Sequence, residues 1–268
     1  MTHDLPGSEF RALIHPHTGD QTNIRNAAHG LGADIAVLAE GEHGLFFVKA
    51  VPNRAGGRRE SLIREGLINP YVVPLSPAVQ WQAQDDTWVA LGFEAIDARA
   101  ADLGPASQDL PAVIDALNQI AAIPLPEIAQ DWLETRWDRF ATGEADTKHF
   151  RGNSLLYTDI QPHNLLVSDE GVRAVDWGWP TRGAAFIDPA CLVVQLIAAG
   201  HSPESAESWA ARCTPWAGAD PNAVDAFAAA NLRMYRRFAE RRPAETWLKA
   251  MATASQEWAA HRGITVMG

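Results

Sequence analysis

Cysteine is scarce in this chain. Only Cys191 and Cys213 occur among 268 residues, and their spacing matches neither a metal site nor a redox pair. Cys191 falls in a strongly apolar run and reads as a buried thiol, so a reduced, cytoplasmic setting is expected. Positive charge is also short, with 22 Lys and Arg against 33 Asp and Glu and a net charge of −11. With nothing basic and continuous to neutralise phosphates, a nucleic-acid partner is not expected. The acidic balance fits a cationic small partner or simple solubility. Long apolar runs are missing too. The longest, Ala190 to Ala199, contains Gln195 and is too short to span a bilayer, so no membrane partner is expected. The first ten residues lack the basic and apolar regions of a signal peptide. Internal repeats and low-complexity segments are absent. The chain is expected to be a monomer or a weak homodimer.

What is present is an ordinary globular composition, 47% hydrophobic and 21% charged, on a length sufficient for one elongated domain or two lobes. The stretch from Leu155 to Gly178 concentrates the chemistry. Asp159 is followed five positions later by Asn164, then by the apolar runs Leu165–Val167 and Val172–Val175 with a turn at Asp169-Glu170-Gly171 between them, and then by Asp176. Two short strands around a Gly-containing turn would form a hairpin that brings Asn164, at its start, close to Asp176, at its end. Those two oxygen-bearing side chains suit a hard cation such as Mg²⁺. Asp159, on the preceding loop, suits proton removal from an attacking hydroxyl.

The rest of the chain divides by pattern. Ile24 to Val51 alternates apolar and polar residues around two glycine-containing turns, at His29–Asp34 and Gly41–Gly44, and reads as a small antiparallel meander. Its last strand carries one lysine, Lys49. An inward lysine there requires an acidic partner. Glu60 and Glu65, on a short helix expected over Arg59–Leu67, are the two candidates. Val79–Ala83 and Thr87–Phe93 form a second hairpin. Beyond Phe93 the pattern turns helical, with helices expected over Ser107–Ile123, Glu127–Phe140, Ala190–Ala199, Pro203–Arg212, Pro221–Glu240 and Ala244–His261. Trp137 reads as core, and His163 as a solvent-facing loop residue. Asp188, Ser202 and Asp220, each followed by proline, read as helix caps with no chemical role. Strands first and helices after make an α+β arrangement in two lobes, residues 1–95 and 96–268, with the site expected in the crevice between them.

Lys49 in Phe-Phe-Val-Lys, the trio Asp159, Asn164 and Asp176, and Asp188-Pro189 come in an order and spacing that resemble the aminoglycoside phosphotransferase family within the bilobal protein-kinase-like fold. The likeness runs from about Ile24 to the C-terminal helices. It implies ATP and Mg²⁺ as cofactors, Lys49 on the α- and β-phosphates, and a helix glutamate holding Lys49. Sixteen positions separate Lys49 from Glu65, which makes Glu65 the preferred partner over Glu60. The resemblance also implies a phosphate-covering turn at Gly30 and Gly32, and a connector of Phe93, Glu94, Ala95 and Ile96 whose backbone meets the adenine ring. Asp159 would be the catalytic base, and Asn164 and Asp176 the Mg²⁺ ligands.

Two places depart from the family pattern. Tyr157-Thr158 stands where the family has His-Gly before the catalytic Asp, and Tyr157 is expected to replace the histidine by stacking and hydrogen bonding. Trp177 stands where protein kinases have Phe. No long activation segment follows Asp176, so a protein acceptor is not expected. The resulting expectation is an ATP-dependent kinase acting on a hydroxyl of a small molecule. An antibiotic, an amino alcohol, a sugar or a nucleoside-like metabolite all remain open, with a cationic acceptor such as an aminoglycoside favoured by charge. The competing expectation is an impaired kinase-like module that binds nucleotide and acts through a partner.

Overall fold

The computed structural model describes residues 7–26 and 33–265. The chain folds as two compact units. One comprises Met1–Arg99 with Arg173–Trp179, and the other Ala100–Val172 with Pro180–Gly268.

The first unit begins with a helix, α1 (Ser8–Thr18), that the residue pattern does not announce. It continues with β1 (Gln21–Asn26), β2 (Ile35–Gly41), β3 (Gly44–Pro52), α2 (Gly57–Val72), β4 (Val79–Gln84) and β5 (Trp88–Glu94). The strands make one antiparallel sheet in the order β1-β2-β3-β5-β4. Side chains alternate across a strand, and β3 uses both faces. Val48 and Ala50 join Phe10 and Ile14 of α1 in one apolar cluster, with Ile24, Val37, Ala39, Trp81 and Ala90. Val51 joins Leu62 of α2 in a second cluster, with Val89, Leu91 and Phe93. Each face of the sheet is thus closed by one helix, and Lys49 shares parity with Val51, on the α2 side.

Helix α2 is longer at both ends than the sequence predicts, and it runs through Asn69-Pro70. Pro70 lies in the last turn and costs the helix one i→i−4 bond there, since it has no N–H to donate. Asn69 then anchors the loop that leads to β4, since its amide donates to the Pro77 carbonyl at 2.8 Å and its oxygen accepts from Val79 N–H at 2.8 Å.

The second unit is mostly helical. After the two-residue strand β6 (Arg99–Ala100) come α3 (Leu110–Ala121), α4 (Glu144–His149), β7 (Ser154–Leu156), β8 (Leu165–Ser168), β9 (Gly171–Ala174) and β10 (Thr181–Gly183). The chain ends with α5 (Ile187–Ala198), α6 (Pro203–Ala210), α7 (Thr214–Ala217), α8 (Pro221–Arg241) and α9 (Thr246–His261). The division between the units falls inside β6 and inside β9. Phe227 of α8 centres the core of this unit. Its ring lies 4.8 Å from Trp137, 6.0 Å from Phe186, 6.1 Å from Phe150 and 6.4 Å from Trp258. Ser202 and Asp220 do cap their helices, accepting from Ser205 N–H and Asn222 N–H.

Two expectations fail in this unit. No helix forms over Glu127–Phe140. Single 3-10 turns occur at Glu127–Ala129 and Asp138–Phe140, and between them the short piece around Leu133 runs extended along β10. Arg182 N–H donates to the Trp132 carbonyl, and Glu134 N–H donates to the Arg182 carbonyl. Those partners take the place of the i→i−4 bonds of a helix, while Trp137 and Phe140 are buried all the same. Asp188 is the second failure. It lies inside α5, whose N-cap is Phe186, and its side chain caps nothing. Cys213 is buried, whereas Cys191 is only half-buried, and both thiols are free. No helix among the described residues is long and apolar enough to cross a membrane.

Candidate functional site

The chemistry-bearing residues form one cluster in each unit. In the first, Lys49 projects from β3 toward α2, where its Nζ donates to both carboxylate oxygens of Glu65, at 2.8 and 3.0 Å, and to Oδ1 of Asp176 at 2.9 Å. Lys49 and Glu65 are 7% and 5% exposed. Burial works against the Lys49 charge, but the two carboxylates more than offset it and leave its pKa above the ordinary lysine value. Glu60 stays exposed on the first turn of α2.

Glu65 also accepts from the backbone N–H of Trp177. The Asp-Trp-Gly segment is thereby tied to the same glutamate that holds the lysine. Trp177 is 1% exposed, and its indole donates to the Ala174 carbonyl at 3.0 Å. Asp176 takes a positive φ of 64°. A Cβ on Gly178 would lie 2.2 Å from Ser61 Oγ, so the chain passes α2 at glycine distance.

At the end of β5, the Glu94 N–H donates to the Ala78 carbonyl at 2.9 Å and its carboxylate pairs with Arg173 at 3.1 Å. Ala95 and Ile96, next along the chain, leave the sheet and make no hydrogen bond among the described residues. The Phe93 ring lies 5.7 Å from Lys49 Nζ. Gly30 and Gly32 lie outside the described residues.

In the second unit, β7 delivers Tyr157-Thr158-Asp159 into a loop that closes with a 3-10 turn at Pro162–Asn164. Asp159 is exposed. Its Oδ2 accepts from Asn164 Nδ2 at 2.8 Å and its Oδ1 from Gln161 Nε2 at 3.3 Å. Because the Asn164 amide nitrogen is spent on Asp159, its Oδ1 is left as an uncommitted acceptor, as is Oδ2 of Asp176 in the first unit. Amide and carboxylate oxygens of this kind are the donor chemistry that suits Mg²⁺.

Tyr157 is fully buried, and its hydroxyl donates across the loop to the Asn164 carbonyl at 3.3 Å. Thr158 has a φ of 60°, and Asp159 N–H donates back to the Tyr157 carbonyl at 2.8 Å. This is a γ-turn of the rarer, more strained hand. His163 is exposed.

Sequence reasoning missed Asp188. Its two carboxylate oxygens accept from the consecutive N–H groups of Tyr157, at 3.0 Å, and Thr158, at 2.8 Å. Burial pushes its pKa up to about 6, against the pull of those two N–H groups and of Arg136. The cap-like Asp-Pro pattern hid this role, because a residue that reaches thirty positions back leaves no local signal. Tyr235 of α8 was also missed. Burial, with the Asp159 carboxylate adding to it, raises its phenol pKa, so the hydroxyl stays protonated.

No family model matches the sequence, and no curated protein matches it. Solved structures match over nearly the whole chain. Choline kinase LicA from Streptococcus pneumoniae has 10% identity and a TM-score of 0.61, covering 95% of this chain and 94% of that one. A thermostable mutant of aminoglycoside phosphotransferase APH(4)-Ia, solved as a ternary complex with ADP and hygromycin B, has 12% identity and a TM-score of 0.58, covering 96% and 99%. Macrolide 2'-phosphotransferase MphH from Brachybacterium faecium has 16% identity and a TM-score of 0.58, covering 92% and 97%. At these identities the likeness establishes the fold, and the chain has the protein-kinase-like fold of these small-molecule kinases.

Proposed function

We propose that this chain, built on the protein-kinase-like fold, is an ATP-dependent, Mg²⁺-requiring phosphotransferase that moves the γ-phosphate to a hydroxyl of a small molecule. The observation that carries the reading is the buried Lys49, held charged by Glu65 and Asp176. A structural lysine on a sheet gains nothing from such burial that an apolar residue would not supply better. A lysine fixed in place and fully charged is what polyphosphate binding requires.

Each residue then has a task. Lys49 binds the α- and β-phosphates. Glu65 keeps it from swinging away and, through Trp177 N–H, keeps Asp176 in register. The free backbone groups of Ala95 and Ile96 receive the edge of the base, beside Phe93 and Glu94. Gly30 and Gly32 belong to the turn that covers the phosphates. Asn164 Oδ1 and Asp176 would hold Mg²⁺, which supplies charge neutralisation on the polyphosphate when bound. Asp159, exposed and oriented by Asn164 and Gln161, accepts the proton of the acceptor hydroxyl. Positioning and electrostatics supply most of the rate in such transfers.

The acceptor is a small molecule, and the net charge of −11 favours a cationic one such as an aminoglycoside or an amino alcohol. Hygromycin B and streptomycin occur in the structures of similar fold. The test is ADP release with ATP and Mg²⁺ across a panel of aminoglycosides, macrolides, choline, sugars and nucleosides. Turnover on at least one supports the reading, and none on any overturns it. Tyr157-Thr158 in place of His-Gly favours a second reading, a nucleotide-binding module without transfer. That reading predicts a thermal shift with ATP and Mg²⁺ and no ADP from any acceptor.

A further inference from the structure

Positive charge is in short supply on this chain, yet five of its 22 Lys and Arg residues are arginines within residues 233–242, where α8 ends. That helix outruns the core, and Met234 is its last buried residue. Residues four apart are neighbours on a helix, so Phe238 and Arg242 continue the stripe that carries Met234, with Arg237 and Arg241 alongside. A face that is apolar upstream thus emerges into solvent as three arginines around a half-buried ring. Arg237 and Arg241 form a like-charge pair at i, i+4, which weakens a helix. A cation at the last turn complements the helix dipole, but that does not explain Arg139, which reaches the same ring from the separate turn at Asp138–Phe140.

Rings and guanidiniums alternate across this face. Arg139 lies 4.8 Å from the Phe140 ring and 5.8 Å from Phe238, and Arg242 lies 5.7 Å from Phe238 and 5.9 Å from Trp247. Trp247 is 52% exposed. A guanidinium set against a ring is attracted by it and is held in one place, with its N–H groups available to a planar anion. Those of Arg139, Arg237 and Arg241 are exposed and make no hydrogen bond or ion pair among the described residues. Arg242 shows how a carboxylate seats here: Glu245 accepts from Arg242 Nη1 at 3.3 Å through one oxygen and from Trp247 Nε1 at 2.8 Å through the other.

We propose that this face of the second unit docks an acidic segment of a partner protein, whose carboxylates engage Arg139, Arg237 and Arg241 while an apolar side chain between them lies against Trp247. Charge complementarity selects the occupant. A second copy related by a two-fold axis through this face would set arginines against arginines. A polynucleotide carries a charge on every unit, so it would meet the Glu240 and Glu245 carboxylates that border the face as well as the net charge of −11 behind it. A peptide places its acids only where the arginines are. Planar forks held by rings also favour carboxylates that can be bound through both oxygens.

The experiment is fluorescence anisotropy of a short labelled peptide that alternates Glu with Leu, titrated with the full chain at low and at raised salt. Binding is expected, weakened by salt, and absent for the same peptide with Lys in place of Glu. Arg139→Ala combined with Arg241→Ala should weaken it by about tenfold or more. Arg139→Lys and Phe238→Leu leave the net charge unchanged, and each should still weaken binding several-fold, the first by losing the fork and the second by losing the ring that holds it. Arg139 is exposed, so Arg139→Lys keeps the test valid if Phe238→Leu misfolds. Arg236→Lys, at an arginine bonded instead to Gln256, should bind as the wild type does. No binding of the Glu peptide, wild-type binding by Arg139→Lys, tighter binding of a single-stranded RNA of equal charge, or self-association of the chain that Arg241→Ala abolishes would each overturn the proposal. The titration uses no nucleotide or acceptor, so its outcome and that of the kinase reading are independent.

Discussion

Lys49 Nζ lies 2.8 and 3.0 Å from the two oxygens of Glu65, so the lysine is gripped by a fork and not by a single bond. The pair joins β3 to α2 inside the first unit, and both members are almost without solvent. Removing one partner of a buried pair strands the other charge. Glu65→Ala is therefore expected to destabilise the chain by roughly 3–5 kcal/mol, read as a lower urea midpoint. It should also abolish the thermal shift given by ATP and Mg²⁺. A Glu60→Ala variant, which alters an exposed acid, should do neither.

Asp159→Asn keeps the side chain's shape and one oxygen that can still accept from Asn164 or Gln161, but it cannot accept the acceptor's proton. Turnover is expected to fall by about 10²- to 10⁴-fold, with nucleotide affinity nearly unchanged. Steady-state ADP release on an acceptor from the panel, beside an ATP titration by thermal shift, separates the two effects. Full activity in this variant would remove Asp159 from the role of base.

Asp188 makes stability depend on pH in an unexpected direction. Its folded pKa, about 6, lies above its ordinary value of 3.8. The folded chain therefore takes the proton before the unfolded chain does. The contribution of this group grows as pH falls from above 6 toward 4, by at most about 3 kcal/mol. Urea unfolding of wild type and Asp188→Asn across that window measures it as a difference.

Gly92→Ala should be far more harmful than a methyl group suggests. A Cβ at this position would lie 2.0 to 2.5 Å from three atoms of the Trp81 ring, which is rigid and packed between strands. Overpacking of a well-filled core costs about 1–3 kcal/mol, and this clash stands at the upper end of that range or above it. The expected readouts are a lower thermal midpoint and a weaker nucleotide response, since Gly92 lies two residues before Glu94. Trp81→Phe in the same background should recover part of the loss by shortening the ring.

Much of the first unit was legible because its information is local. Period-2 alternation and Gly-containing turns marked β2 to β5, and one lysine in an apolar strand pointed to a buried acid. The choice between Glu60 and Glu65 needed the helix phase, which a boundary error of two residues obscures. The segment Glu127–Phe140 misled for a physical reason. Its apolar residues have helical spacing, yet the backbone satisfies its hydrogen bonds on β10, a partner nearly fifty positions away. Asp188 was misread in the same manner, since Asp-Pro is a cap by local chemistry and only tertiary structure presents its oxygens to Tyr157 and Thr158. Tyr157 was legible only as a departure from the pattern the sequence resembles. Its bond to the Asn164 carbonyl could be named only from the structure.

Strand β3 carries Val48 and Ala50 toward α1 and Lys49 toward α2. Parity, more than position, is what the lysine depends on. A single residue inserted or deleted within β3 upstream of Lys49 would rotate the ammonium into the apolar cluster around Phe10 and send a hydrophobic side chain to Glu65. Two residues inserted would restore the parity at the cost of a shift along the strand. Length changes in this strand should therefore be tolerated in even steps and rejected in odd ones.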